Sequence, residues 1–352
     1  MSSIGREKIL VIAPSWIGDC VMAQPSLALL RQQYPDATIH VFAPKWSLPV
    51  LKRMPEVDEV LENPFGHGEL KLLKRMRLGR MLGKQGFTRA LILPNSMKSA
   101  LVPYFAKIPI RTGFVGEMRY HLINDIRVLN EVKLPKMVDR YTSLSYPVTQ
   151  SLPINSPMPV LTVDSQSQAA SVEKFSLNLE RPIVSICPGA EYGIAKRWPV
   201  KHFAQVVRQC VEKGWQVWYF GSHKDAPIAQ EITELSGGLG INLCGKTKLD
   251  EAVDLLALSN VVVCNDSGLM HIAAALQRPI VVIYGSSSAD HTPPLSECVE
   301  ILSLNLECSP CFERECPLGH MRCLEDLSYE LVFDAINKLI KHSLPENNLN
   351  NV

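Results

Sequence analysis

The stretch Val263-Cys264-Asn265-Asp266-Ser267-Gly268-Leu269-Met270-His271-Ile272-Ala273-Ala274-Ala275 decides how the rest of the chain is read. Its lead-in, Asn260–Cys264, is short and apolar from Val261 on, as a strand buried on both faces must be. Four polar or turn-forming residues follow, and then a helix-length apolar run. A strand, a tight loop and a helix in that order form half of a βαβ unit. Ser267 is placed to cap the helix, and Gly268 lets a ligand come close to the backbone. The helix start then offers unpaired N–H groups to an anion. His271, in the first turn, can donate to a phosphate, and Asp266 at the strand tip can accept from sugar hydroxyls.

The same alternation runs outward in both directions. Before this stretch lie Pro182–Cys187, Gln216–Phe220 and Asn260–Cys264 as strands, with His202–Lys213 and Pro227–Leu235 as helices between them; Pro279–Tyr284 follows as a strand. An earlier copy reads Lys8–Ala13, Ala37–Ala43, Val57–Leu61, Arg89–Pro94 and Arg111–Phe114 as strands, with a helix over Val21–Gln33. Between the copies lies a proline-marked linker, Pro147 to Pro159. The pattern predicts an α/β protein of two Rossmann-like, doubly wound domains facing across a cleft. The boundaries it suggests are residues 1–155, residues 156–325, and a C-terminal helix and tail over 326–352, with the helix at about Ser328–His342 and a frayed tail from Pro345. Ligands of such sheets sit at the carboxyl ends of the strands, so the chemistry is expected in the strand-end loops.

Three more loops fit that expectation in the second half. "CPGAEYGIAKRWP" (187–199) breaks the strand at Pro188-Gly189 and sets Lys196 and Arg197 where a diphosphate needs neutralising. "FGSHKD" (220–225) ends on Asp225, which can take a ribose hydroxyl, and "CGKTKL" (244–249), with Thr247, can line a base. In the first half, "APSWIGDCVMAQPSL" (13–27) ends its loop at Asp19, either a general base for an incoming hydroxyl or a helix N-cap. Lys98, Arg111, Arg119 and Arg140 supply cations for an acceptor bearing phosphate or carboxylate.

Composition is that of an ordinary soluble protein of 352 residues, 46% hydrophobic, 20% charged and net charge +1. No apolar run approaches a membrane span, and the start, Met1–Lys8, carries no leader pattern, so a cytoplasmic location is expected and no nucleic acid partner. The small net charge conceals an asymmetry. Residues 1–155 hold 21 Lys and Arg against 12 Asp and Glu, and residues 156–352 hold 15 against 23. The first half is expected to attract anions, although opposite charges can equally serve to dock two halves. Within it, the run 71–84 has cations and leucines at helical spacing, suiting a solvated helix or one lying on the anionic inner membrane surface.

Six of the ten cysteines are scattered and need only packing to explain them. The other four, Cys308, Cys311, Cys316 and Cys323, fall in one short loop with C-x2-C and C-x6-C spacing. Four thiols so placed suit a structural tetrahedral zinc or iron site, disulfides, or free thiols.

"PSWIGD", "PNSMKSALVP", "PGAEYGIAKRWP" and "NDSGLMHIAAAL", in this order, resemble the bacterial ADP-heptose:lipopolysaccharide heptosyltransferases over nearly the whole chain. The resemblance implies a GT-B fold, with acceptor on the N-terminal domain and ADP-heptose on the C-terminal one. It also implies inverting transfer of L-glycero-D-manno-heptose onto the first heptose of the anionic inner core. By position Asp19 matches the general base, Lys196 and Asp266 the surroundings of diphosphate and heptose, and Ser267, Gly268 and His271 the diphosphate turn. Asp225 falls near an acidic ribose contact. The four-cysteine loop belongs to only part of that family. The residues themselves agree: with no D-x-D pair, no catalytic metal is implied, and a helix start, Lys196 and His271 take over the leaving charge. Two other readings stay open, a related transferase with another donor or acceptor and a non-catalytic nucleotide-binding or redox-sensing protein. A dehydrogenase is excluded, because no G-x-G-x-x-G follows the first strand.

Overall fold

Continuous apolar runs become strands hidden on both faces. In the computed structural model, which describes residues 6–66, 68–147 and 155–343, every residue of Ile183–Cys187 and Val261–Asn265 is buried. Most of the linker and the polar tail, with the first five residues, lie outside the described residues. The chain divides between Val160 and Leu161 into two units.

The first unit contains β1 (Lys8–Ile12), β2 (Thr38–Pro44), β3 (Glu59–Asn63), β4 (Arg89–Ile92), β5 (Ile110–Phe114) and β6 (Asp125–Arg127). They form one sheet, β3-β2-β1-β4-β5-β6, parallel throughout. The second contains β7 (Ile183–Cys187), β8 (Gln216–Tyr219), β9 (Ile241–Asn242), β10 (Val261–Asn265), β11 (Ile280–Ile283) and β12 (Val299–Leu302). Their order is β12-β11-β10-β7-β8-β9, again all parallel. Counted from its own first strand, each sheet therefore has one and the same order. The chain reverses its direction of travel between β1 and β4, and between β7 and β10. At such a switch point the two following loops part and leave a crevice at the carboxyl edge. This is the two-domain α/β architecture of the GT-B type.

The central strands fall where the hydrophobic pattern predicts them. The edges do not. β3 starts two residues later than expected, and β6, β9 and β12 carry too little apolar signal to be seen, being short or partly exposed. The first helix, Ile17–Gln33, starts four residues before the predicted Val21, so Gly18 and Asp19 are helical and the loop after β1 shrinks to a few residues. Each unit has its own core. Leu10, Phe42 and Ile92 anchor the first, and Ile186, Trp198, Val217 and Val263 the second. The last helix, Tyr329–Ser343, adds Val332, Ile336 and Ile340 to the second core.

Candidate active site

At the switch point of the second sheet, the loop after β7 meets the loop after β10. Asn265, the last residue of β10, is fully buried and braces both. Its side-chain carbonyl accepts from the Trp198 N–H at 3.0 Å, and its amide donates to Pro188 O at 2.8 Å. The brace fixes Lys196 beside Asp266, Nζ to Oδ2 2.5 Å, with both side chains largely shielded from water. Thr292 Oγ1 lies 3.4 Å from the same carboxylate oxygen, and the Lys196 ammonium stands 5.0 Å from the Tyr192 ring centre.

The helix that starts here, Gly268–Ala275, has Ser267 as its N-cap by position, yet the serine makes no side-chain capping bond. That corrects the expected cap: Ser267 is fully extended, and its hydroxyl is buried with no partner among the described residues. The hydroxyls of Ser286 and Ser287, just past β11, are in the same condition. Because Asn265 pairs with Ile283, these serines emerge from neighbouring strands at the same carboxyl edge. Buried polar atoms without partners are costly, and several along one carboxyl edge, one of them at a helix start, suit an oxygen-rich ligand. His271 is buried, and burial holds its pKa down at about 4, opposed by Asp266 and aided by Lys196. The ring is therefore neutral at ordinary pH, a hydrogen-bonding group with no charge of its own.

Farther along the edge, Asp225 Oδ2 accepts from the Ser222 N–H at 2.8 Å and from its hydroxyl at 2.7 Å, closing a capping box. The same carboxylate crowds Gly189, where a Cβ would stand 2.2 Å from Oδ1, so only glycine fits beneath it. Thr247 is half-buried in the turn that follows β9.

In the first unit, Asp19 is the third residue of its helix; Trp16 is the N-cap, which removes the capping alternative for Asp19. The carboxylate is half-buried and hydrogen-bonded by Tyr141, whose hydroxyl is pushed well above its ordinary pKa, first by burial and then by Asp19. Burial, with Asp19 next, likewise raises Cys20 to about 12, so that thiol stays protonated.

The expected acceptor cations divide. Arg119 is almost wholly buried and donates to Phe114 O at 3.0 and 2.7 Å, Pro94 O at 2.6 Å, Ser96 O at 3.1 Å and Ser99 Oγ at 2.9 Å. Desolvation lowers its pKa to about 10, and its work is tying the loops after β4 and β5 together. Arg111 sits near the amino end of β5, away from the carboxyl edge, and donates to Ile108 O and Leu122 O. Neither guanidinium is presented to a ligand. Arg140 donates to Leu134 O at 2.9 Å, with Glu131 at 3.7 Å, and Lys98 occupies the first turn of the helix Met97–Phe105, past β4.

The four cysteines of the late loop are free thiols lining one cavity of about 20 Å³. Among the described residues no group of three or more His, Cys, Asp or Glu side chains is already set to hold a metal ion.

The structure pairs Lys196 with Asp266, both expected from sequence, and sets beside them or beside Asp19 residues the sequence reading did not single out: Ser286, Ser287, Thr292, Tyr141 and the bracing Asn265. The Gly-Ser-Ser-Ser that ends the apolar run at 280–284 was a visible signal of the same kind as Asp-Ser-Gly.

Two parallel six-stranded sheets of one strand order, with polar side chains at the carboxyl edge, are the frame of the GT-B glycosyltransferases. The chain belongs, more narrowly, to glycosyltransferase family 9, the heptosyltransferases, whose signature spans residues 75–322. It is 45% identical over 343 residues to lipopolysaccharide heptosyltransferase 2 of Escherichia coli K12, covering 95% of this chain and 98% of that one. Lipooligosaccharide heptosyltransferase 2 of Haemophilus influenzae is 43% identical over 346 residues, 94% of this chain and 99% of the other. The solved structure of E. coli ADP-heptose LPS heptosyltransferase II superposes with a TM-score of 0.85 at 43% identity, covering 95% and 99%.

Proposed function

We propose that the protein transfers heptose from ADP-heptose, with inversion, onto the first heptose of the lipopolysaccharide inner core. The observation that carries this reading is the shielded Lys196–Asp266 pair at a helix start, on a carboxyl edge that also bears unpartnered serine hydroxyls. Breaking a glycosidic bond to a diphosphate requires something to hold the departing charge, and preorganised donors in a water-poor site do that best. Lys196, the N–H groups at Gly268, the hydroxyls of Ser267, Ser286 and Ser287, and neutral His271 are such donors. Asp266 orients Lys196 and accepts from a heptose hydroxyl; Asp225 and Thr247 serve the nucleoside. Asp19, oriented by Tyr141, takes the proton of the attacking hydroxyl. Lys98 and Arg140 face the anionic acceptor, while Arg111 and Arg119 shape the loops. The chemistry calls for no catalytic cofactor, and a zinc or iron ion at the cysteines is structural.

An acceptor anchored in lipid favours peripheral contact of a cytoplasmic enzyme with the inner membrane. No helix among the described residues is long and apolar enough to cross it. The helix Leu72–Leu82 instead exposes Leu72, Leu73 and Met81, with Leu70 just before it, beside exposed Lys74, Arg77, Arg80 and Lys84. That combination suits an anionic bilayer surface. Incubating the purified protein with ADP-heptose and mono-heptosylated core lipid tests the main reading: ADP and a second heptose are expected together. Hydrolysis of ADP-heptose without transfer, or no ADP at all, rejects it.

A further inference from the structure

We infer that Trp16 and Trp46 form a stacking subsite for a pyranose ring of the acceptor, the sugar whose hydroxyl gives its proton to Asp19. The inference rests on the proposed transfer reaction and adds to it the groups that grip the acceptor's sugar face.

The five tryptophans divide by unit. Trp198, Trp215 and Trp218 are 1%, 2% and 0% exposed, whereas Trp16 and Trp46 are 47% and 52% exposed. A single exposed apolar side chain needs no explanation, but these two stand together. β1 and β2 are paired with Ile12 opposite Phe42, so the loops that follow them leave the carboxyl edge side by side. Trp16 closes the first loop, and Trp46 lies in the second, in the turn Lys45–Ser47. The Trp46 indole N–H donates to Ser15 O at 2.8 Å, which fastens one ring to the residue next to the other. Buried Cys20, hydrogen-bonded to Ser47, is a second tie between the same segments. Half-exposed indoles on fastened loops forgo hydrophobic stabilisation in the free protein, yet with two side-chain torsions each they lose little entropy when a ligand covers them.

Chemistry selects the occupant. The face of an aromatic ring is electron-rich, and a pyranose offers a face of C–H groups, polarised by the neighbouring oxygens, that packs against it. Trp16 is the N-cap of the helix whose third residue is Asp19, and its carbonyl accepts from the Cys20 N–H at 2.9 Å. One helical turn therefore holds an exposed ring and the carboxylate of the proposed base. With its N–H spent on Ser15, Trp46 offers a ligand only its ring, unlike an indole seated in a lipid headgroup layer, which keeps its polar end in water. Lys45, exposed beside Trp46, adds a cation that suits an acidic sugar chain.

The test uses the full chain, ADP-heptose and mono-heptosylated core oligosaccharide freed of its lipid. Trp16→Leu and Trp46→Leu are each expected to raise the oligosaccharide KM about five- to thirtyfold, the loss of a packed aromatic contact, with ADP-heptose KM and ADP affinity held. Trp16→Phe and Trp46→Phe keep a ring and are expected to stay within about threefold of wild type. Trp46→Phe also lacks the bond to Ser15, so a loss as large as that of Trp46→Leu makes the residue a loop fastener and overturns the subsite. Saturating oligosaccharide is expected to shift the wild-type tryptophan emission to shorter wavelength, and the double leucine variant to lose the shift, since its remaining indoles are already buried. Wild-type transfer with unchanged oligosaccharide KM in both leucine variants overturns the subsite alone. Leucine variants that keep that KM but lose binding to anionic phospholipid vesicles assign the rings to the membrane, which overturns it as well. A wild type that transfers no heptose to the oligosaccharide rejects the transfer reading, and the subsite falls with it.

Discussion

The two units share one strand order, yet their switch points are built in opposite ways. In the first, a single carboxylate, Asp19, is held by one buried tyrosine, while Arg111 and Arg119 of the same unit spend their guanidiniums on loop carbonyls. In the second, two loops are braced by Asn265 around a shielded ion pair, and the surplus lies in hydroxyls without a partner among the described residues. On the proposed reading, one site serves to move a proton and the other to receive an oxyanion. The sheet supplies only the crevice; the side chains at its rim decide the chemistry.

The sharpest way to break this division is Asp19→Asn. With the base gone and the helix unaltered, kcat is expected to fall by about 10²–10⁴ while ADP affinity holds. Near-normal turnover would remove the proton-moving role from the first unit. Lys196→Ala should act the other way round, weakening ADP by about 2–4 kcal/mol, because it leaves the Asp266 carboxylate unpaired where phosphate is to bind. Calorimetric titration reads this directly, and an unchanged ADP affinity would make the pair merely structural.

A third experiment uses pH. Folding lowers the His271 pKa from 6.5 to about 4, so between those values the unfolded chain takes up a proton that the folded one refuses. Stability contributed by the neutral ring is therefore present above pH about 6.5 and is lost as pH falls toward 4, by up to about 3 kcal/mol. Denaturant midpoints of His271→Gln should lack that part of the acid-side slope; parallel curves for variant and wild type would show that the ring is not held neutral. The smallest effect is expected from Tyr141→Phe, a loss of about 1 kcal/mol in kcat/KM with ADP binding intact.

What could be read from sequence follows from what burial on both faces demands. β1, β4, β7 and β10 are largely apolar runs; Asp266 drew notice because it follows the tip of β10, and Lys196 because its loop leaves β7 at Pro188-Gly189 and carries the Lys196-Arg197 pair further on. The edge strands, relieved of one neighbour, tolerate polar residues and lose the pattern. Arg119 misled because its sequence neighbourhood looks like a surface loop; nothing local says that its guanidinium is spent on Phe114, Pro94, Ser96 and Ser99. Counting charges therefore overstated how much of the first half's positive excess is offered to a ligand. Tyr141 was hidden for the converse reason, since its partner lies more than a hundred residues away.

The Asn265 brace also imposes an order of events during folding. Pro188 and Asn265 are 77 residues apart, and Trp198 is 67 from the same side chain. Closing so long a loop costs entropy before any contact repays it, so the Lys196 turn can be fixed only after β7 and β10 have come together. A nascent chain that has not yet delivered residue 265 from the ribosome has the lysine but no pocket. The ability to bind nucleotide is thus a late product of assembly, and ligand protection against proteolysis should appear in one step with the pairing of the two central strands.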